Sequence, residues 1–151
     1  MASVVSATTG SVYGAGARVS RADQFLAAAE SLIAQAHDDF EAGRHDLAME
    51  NAYRAALRIA GARSAQSPVV RKRKRLPTNA WDKLALTGAA GADWAAVFRR
   101  YSAQRGRVAS GIDLNPGSAV VHRLLADVED FYSATVAGLS LLHISQPPRT
   151  Y

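Results

Sequence analysis

The chain contains no cysteine. That single absence excludes disulfides, thiolate catalysis and zinc or iron–sulfur sites built on thiolates. The remaining metal ligands would come from four histidines and thirteen acids, and neither a His-x3-His nor a His-Glu-x-x-His spacing occurs, which argues against a protein-encoded metal or cofactor. No apolar run approaches the roughly 20 residues a bilayer span requires. The first twenty residues lack both a basic start and a sustained apolar stretch, so they make a poor signal peptide. The expectation is a soluble cytoplasmic protein with no membrane partner.

Phosphate-cradling and nucleophile motifs are missing as well. There is no Gly-x-x-x-x-Gly-Lys-Ser/Thr loop, no strand-borne Gly-x-Gly-x-x-Gly and no Gly-x-Ser-x-Gly elbow; Gly14 and Gly16 fall in the small-residue N-terminus. Strict apolar/polar alternation is absent over any useful length, so no strand is expected.

What the chain has is localised positive charge. Between Arg71 and Arg107 stand ten bases, Arg71, Lys72, Arg73, Lys74, Arg75, Lys83, Arg99, Arg100, Arg105 and Arg107, against only Asp82 and Asp93. Residues 1–70 hold six bases and seven acids, and residues 111–151 two bases and four acids, so the formal net charge of +5 arises in the middle. Charge segregated in this way is the footprint of a polyanion-binding surface.

Apolar periodicity places this charge on a helical frame. Residues 1–19, poor in large apolar side chains, are expected to be a disordered arm. Ser20, three before Asp23, can cap a first helix with Phe25, Leu26, Ala29, Leu32, Ile33, Ala36 and Phe40 on one face, ended by Gly43. Asp46 can cap a second, with Met49, Tyr53, Ala56, Leu57 and Ala60 as its stripe, ending at Gly61; the short connection makes an antiparallel hairpin. On its neighbouring face, Glu50 precedes Arg54 by four residues, the spacing of an intrahelical pair.

Residues 64–78 form a basic internal linker bracketed by Pro68 and Pro77. Thr78 or Asn79 can cap a short third helix with Trp81, Leu84 and Leu86. Gly88 and Gly91 separate it from a fourth, Asp93 to Gln104, bearing Trp94, Val97, Phe98 and Tyr101. After breaks at Gly106, Gly111 and Asn115 to Gly117, a long last helix starts near Ser118 with Val121, Leu124, Leu125, Val128, Phe131, Tyr132 and Leu139. Pro147 and Pro148 end it, leaving residues 143–151 as a tail. The domain, residues 20–142, is therefore all-α, an up-and-down bundle of four to five helices.

Five adjacent bases in a linker, Arg71 to Arg75, joined by Arg99, Arg100, Arg105 and Arg107, suit phosphates along a nucleic acid. Such contacts give affinity without reading sequence. A plain solvated loop competes with that reading, and so does a basic loop docked on an acidic protein partner. Trp81, Trp94, Phe98 and Tyr101 sit among the bases but at helical spacing, which favours the core over stacking on nucleobases. His37, His45, His122 and His143 are dispersed, and His122 is expected at the surface. Of Asp127, Glu129 and Asp130, one could pair with Arg54 or Arg58 across the bundle.

Asn51-Ala-Tyr-Arg-Ala-Ala-Leu-Arg-Ile-Ala60, Ala80-Trp-Asp-Lys-Leu84, Asp93-Trp-Ala-Ala-Val-Phe98 and Asp127-Val-Glu-Asp-Phe131 together resemble an actinobacterial family of small proteins in the HEPN superfamily, the "higher eukaryotes and prokaryotes nucleotide-binding" helical domains. The resemblance spans roughly residues 20–140. It implies a HEPN-like bundle, often a homodimer, in a superfamily with many metal-independent RNases, toxins and partners of nucleotidyltransferases. Its active members use an Arg followed, after four to six residues, by a His. Here the residues at that distance before each His are Glu30 to Leu32, Asp38 to Phe40, Asn115 to Gly117 and Val136 to Gly138, with no Arg among them. No catalytic residue carries over. The resulting expectation is a non-enzymatic HEPN-like domain binding nucleic acid or a nucleotide, with an acidic-partner adaptor and an unconventional metal-independent RNase as alternatives. A single tetratricopeptide-like hairpin around Phe40 to Ala56 does not make a solenoid, which needs about three repeats.

Overall fold

The computed structural model describes residues 20–112 and 115–145, with side chains through Leu139. The expected N-terminal arm and residues 146–151 of the tail lie outside the described residues. Among the described residues six helices follow in order: α1 Arg21–Glu41, α2 His45–Gln66, α3 Pro68–Lys72, α4 Ala80–Ala85, α5 Ala89–Ala109 and α6 Ser118–Ser145. No strand occurs among the described residues, and the all-α reading holds.

Ser20 caps α1 as its sequence predicts, accepting from the Asp23 amide at 3.1 Å. Gly43, at φ 79, supplies the left-handed turn into α2, and the two helices form the bundle's most extensive contact. The second cap differs from expectation. Arg44 is the cap residue but its side chain caps no helix amide, and Asp46 lies inside the first turn.

The buried Asp39 carboxylate latches this hairpin instead. It accepts from Asn51 Nδ2 at 2.8 Å, Arg44 Nε at 3.1 Å and Gln35 Nε2 at 3.3 Å. Burial works to raise the Asp39 pKa, but hydrogen bonds from Asn51, Arg44 and Gln35 outweigh it and hold the carboxyl below its ordinary value.

Helix α2 touches every other helix. Its buried side chains, Ala48, Ala52, Ala55, Ala56, Ala60 and Ala62 among them, surround the axis rather than forming one stripe, as a central helix requires. It also runs through Gly61 to Gln66, five residues past its expected end. Gly61 fits closely against α1: a Cβ there would stand 3.0 Å from the Phe25 ring, which would have to give by a few tenths of an ångström.

Two further glycines expected as breakers are helical. Helix α5 includes both Gly91 and Gly106 and is a long helix, so the described residues hold four long helices and two short ones. Gly88, at φ 138, makes the actual break. The part of the expected linker at residues 64–66 belongs to α2, and Pro68–Lys72 forms a one-turn helix capped by Ser67. Helix α6 starts at Ser118 as expected and continues to Ser145, three residues into the expected tail.

The aromatic residues of the basic third build the core. Phe98 stacks on Trp81 at 5.2 Å and meets Phe131 at 5.1 Å, while Trp94 meets Phe131 at 4.9 Å. Trp81, Phe98 and Tyr101 are buried and Trp94 half-buried, so none forms an exposed base-stacking platform.

Candidate nucleic-acid interface

The run Arg71 to Arg75 is exposed throughout. Its first two residues end α3, and the Arg73 Nε donates to the Arg75 carbonyl at 3.3 Å, which turns the chain after the helix. Arg71 and Arg73 face a cleft of about 430 Å³ between the N-terminal turn of α1, the C-terminal half of α2 and α4. Arg21 and Lys83 line the same cleft, with Phe25, Val70 and Leu76 supplying its apolar wall. No carboxylate lines it. Arg21 is itself placed by its ring contact, 5.5 Å over Phe25, and Phe25 is placed by the space at Gly61. Lys72, Lys74 and Arg75 extend the positive surface beside the cleft without lining it.

The four bases of α5 are positioned elsewhere. Arg99 binds Asp82 at 2.6 Å, an exposed pair that ties α5 to α4. Arg105 reaches Glu50 through two bonds, Nε at 2.8 Å and NH2 at 2.6 Å, and lies 5.4 Å over the Tyr53 ring. The Arg105 bonds hold the Glu50 carboxyl below its ordinary value, and Glu50 in return raises Arg105. Glu50 therefore pairs across the bundle rather than with Arg54, although the Arg54 charge also favours its ionised form. Arg100 lines a cavity with Arg123 and Tyr101, and Arg107 lies in the last turn of α5, outside the cleft lining. The cavities lined by Arg71, by Arg100 and by Arg105 share no residue. The single patch expected from nine bases thus separates: Arg71 and Arg73 line one cleft, while Arg99 and Arg105 are held in pairs with Asp82 and Glu50.

Arg21 and Lys83 are cleft residues that the sequence does not single out together. Fifty residues separate Arg21 from Arg71, and only the α1–α2 hairpin joins them.

The α6 acids do not reach Arg54 or Arg58. Asp127 accepts from the Tyr101 hydroxyl at 2.7 Å, and Glu129 meets His37 Nε2 at 2.7 Å. Burial first, and then the Asp127 hydrogen bond, push the Tyr101 phenol up to about 12. His37 and His122 share a cavity with Glu41, Glu129 and Asp130, and His122 is exposed. His45 and His122 flank the Phe40 ring at 5.4 and 6.1 Å. His143 lies among the residues without described side chains. Among the described residues no cluster of three or more His, Asp or Glu side chains could hold a metal ion, and no helix is long and apolar enough to cross a membrane.

An all-α bundle built on a long hairpin, with a central alanine-rich helix and an aromatic core, has the architecture of a HEPN domain. The model of the SAV_6107-like HEPN family matches residues 41–136, from the end of α1 into α6, and the chain belongs to that family. No curated protein and no solved structure matches it.

Proposed function

We propose that this HEPN domain binds nucleic acid, without cleaving it, through the cleft formed by Arg21, Arg71, Arg73 and Lys83. The observation that carries the proposal is four converging cations with no carboxylate in the lining. Cations on three separate elements at one concavity suit successive phosphates of a polyanion, and Arg forks match phosphate oxygens in pairs. Lys72, Lys74 and Arg75 lengthen the track.

What supports binding without cleavage is the position of the histidines. Transesterification of RNA needs a base for the 2′-hydroxyl proton and a cation for the phosphorane charge at one place. No histidine lines the basic cleft, and His37 and His122 sit among three carboxylates, which repel a phosphodiester.

Fluorescence anisotropy of labelled single-stranded RNA and duplex DNA at about 50 and 200 mM salt tests the proposal, since phosphate contacts weaken steeply over that span. Binding that falls with salt and is lost in the Arg71→Ala/Arg73→Ala variant is the expected result. No binding at either salt would overturn it and redirect attention to an acidic protein partner; metal-free cleavage of the RNA would overturn the non-enzymatic part.

A further inference from the structure

Arg63 stands near the end of α2, on a face turned toward α6. Its Nε donates to Thr135 Oγ1 at 2.7 Å, and the Thr135 hydroxyl donates in turn to the Phe131 carbonyl at 2.7 Å. The guanidinium carbon lies 5.3 Å from the Phe131 ring centroid. One edge of the guanidinium is therefore held by a neutral hydroxyl, and its carbon sits over an aromatic ring. Arg44, Arg99 and Arg105 each meet a carboxylate; half-buried Arg63 meets none among the described residues. Burial pushes its pKa down, as expected for a cation removed from water without a counter-charge.

Arg63 lines a cavity of about 250 Å³ at the junction of α2, α3, α6 and the turn after α4. Pro68, Ala134, Gly138 and Leu139 make most of that lining apolar, while Gln66 and Thr87 add polar edges. A Cβ built at Gly138 meets nothing within 4 Å, so this part of the wall is open space rather than packed helix.

We propose that this cavity is a second binding site, for a small organic carboxylate, separate from the basic cleft. The carboxylate sits on the terminal N–H groups of Arg63, and the apolar body lies against Pro68, Ala134 and Leu139. A guanidinium with its Nε held and its carbon over an aromatic ring has its terminal N–H groups pre-organised for a planar two-oxygen partner. The volume is below the roughly 300–1,000 Å³ of sites for drug-sized ligands, which selects a short branched or single-ring acid.

Titration of the full ¹⁵N-labelled chain with 3-methylbutanoate and with benzoate, each beside its neutral amide, tests the site. At least one acid is expected to saturate, moving the Gly138 and Thr135 amides, with its amide about tenfold weaker because a charge-assisted bond is lost. Arg63→Gln should weaken acid binding by a similar factor. Gly138→Leu, which fills open space on an otherwise unchanged helix, should abolish binding with cooperative unfolding intact, and it decides the matter if Arg63→Gln fails to fold. Arg71→Ala/Arg73→Ala should leave acid binding unchanged, which separates this site from the nucleic-acid proposal. Failure of both acids to saturate below about 10 mM, equal binding of acid and amide, or wild-type binding by Gly138→Leu would overturn the site.

Discussion

The Trp81 indole Nε1 donates to the Tyr53 hydroxyl at 2.8 Å, joining α4 to the central helix α2. The rings meet edge-on at 5.8 Å, and both side chains are buried. Helix α4 has six residues, too few to stand alone, so its place depends on this bond, on Trp81 stacking against Phe98 and on buried Leu84. Because α4 carries Lys83, the same bond positions one of the four cleft cations.

Tyr53→Phe leaves the indole N–H buried without an acceptor and should destabilise the domain by about 1–3 kcal/mol. Adding Trp81→Phe removes the orphaned donor too, so the double variant should lose less than the two single changes added together. Chemical denaturation of the four proteins measures the coupling. Unchanged stability in Tyr53→Phe would show that the bond contributes nothing net.

Equal charges in α3 and α5 should behave differently. Arg71→Ala/Arg73→Ala should flatten the slope of log K against log salt by about 1.4 for single strands, two contacts' worth, with the melting temperature unchanged. Arg105→Ala should leave that slope alone and lower stability by about 1 kcal/mol, since its pair with Glu50 is partly exposed. A slope change in Arg105→Ala would place the phosphate track along α5.

Asp39 should give the hairpin an acid-sensitive contribution. Its folded pKa lies below the ordinary 3.8, so on acidification the unfolded chain takes up the proton first. The stability it confers is then complete above the unfolded value and is lost as pH falls through the folded one. Asp39→Asn should be less stable at neutral pH by about 2 kcal/mol, the scale of a hydrogen bond to a charged group. That difference should narrow as the pH falls below the ordinary value of 3.8, and a gap that stays constant on acidification would remove the ionised carboxylate as its cause.

Two helical glycines of α5 should respond oppositely to alanine. At Gly91 a Cβ runs into the Leu84 carbonyl oxygen and the Thr87 hydroxyl, which are themselves bonded at 2.7 Å, so Gly91→Ala should cost about 1–3 kcal/mol. At Gly106 a Cβ meets nothing within 4 Å, and Gly106→Ala should stabilise by about 0.5–1 kcal/mol through helix propensity. Thermal melts of both variants give the signs.

These glycines also mark where local pattern stops informing the fold. Ser20 and Asn79 are legible as caps because capping involves neighbours within three residues, and both accept the expected amides. Gly61, Gly91 and Gly106 have the local look of helix ends, yet a helix tolerates glycine for about 1 kcal/mol, and packing decides. Phe25 needs the room at Gly61, and the α4–α5 turn needs it at Gly91.

The basic cleft was legible to a similar depth. Contiguous Arg71 to Arg75 announces itself, whereas the convergence of Arg21 and Lys83 on it is a product of tertiary packing. Charge density alone could not tell Arg99 and Arg105, engaged by Asp82 and Glu50, from cleft bases. Nor does composition reveal Arg63, whose character comes from burial beside Phe131.

The aromatic cluster also gives the protein an intrinsic optical reporter. Both tryptophans belong to it, and Phe131 is a shared neighbour, touching Trp94 on one side and the Arg63 guanidinium on the other. Phe25, the ring lining the basic cleft, contacts neither indole. Trp94 meets Phe131, the ring beneath the Arg63 guanidinium, and Trp81 stands in α4 two residues from Lys83 of the basic cleft, so a quenching titration without any added label has one indole near each cavity.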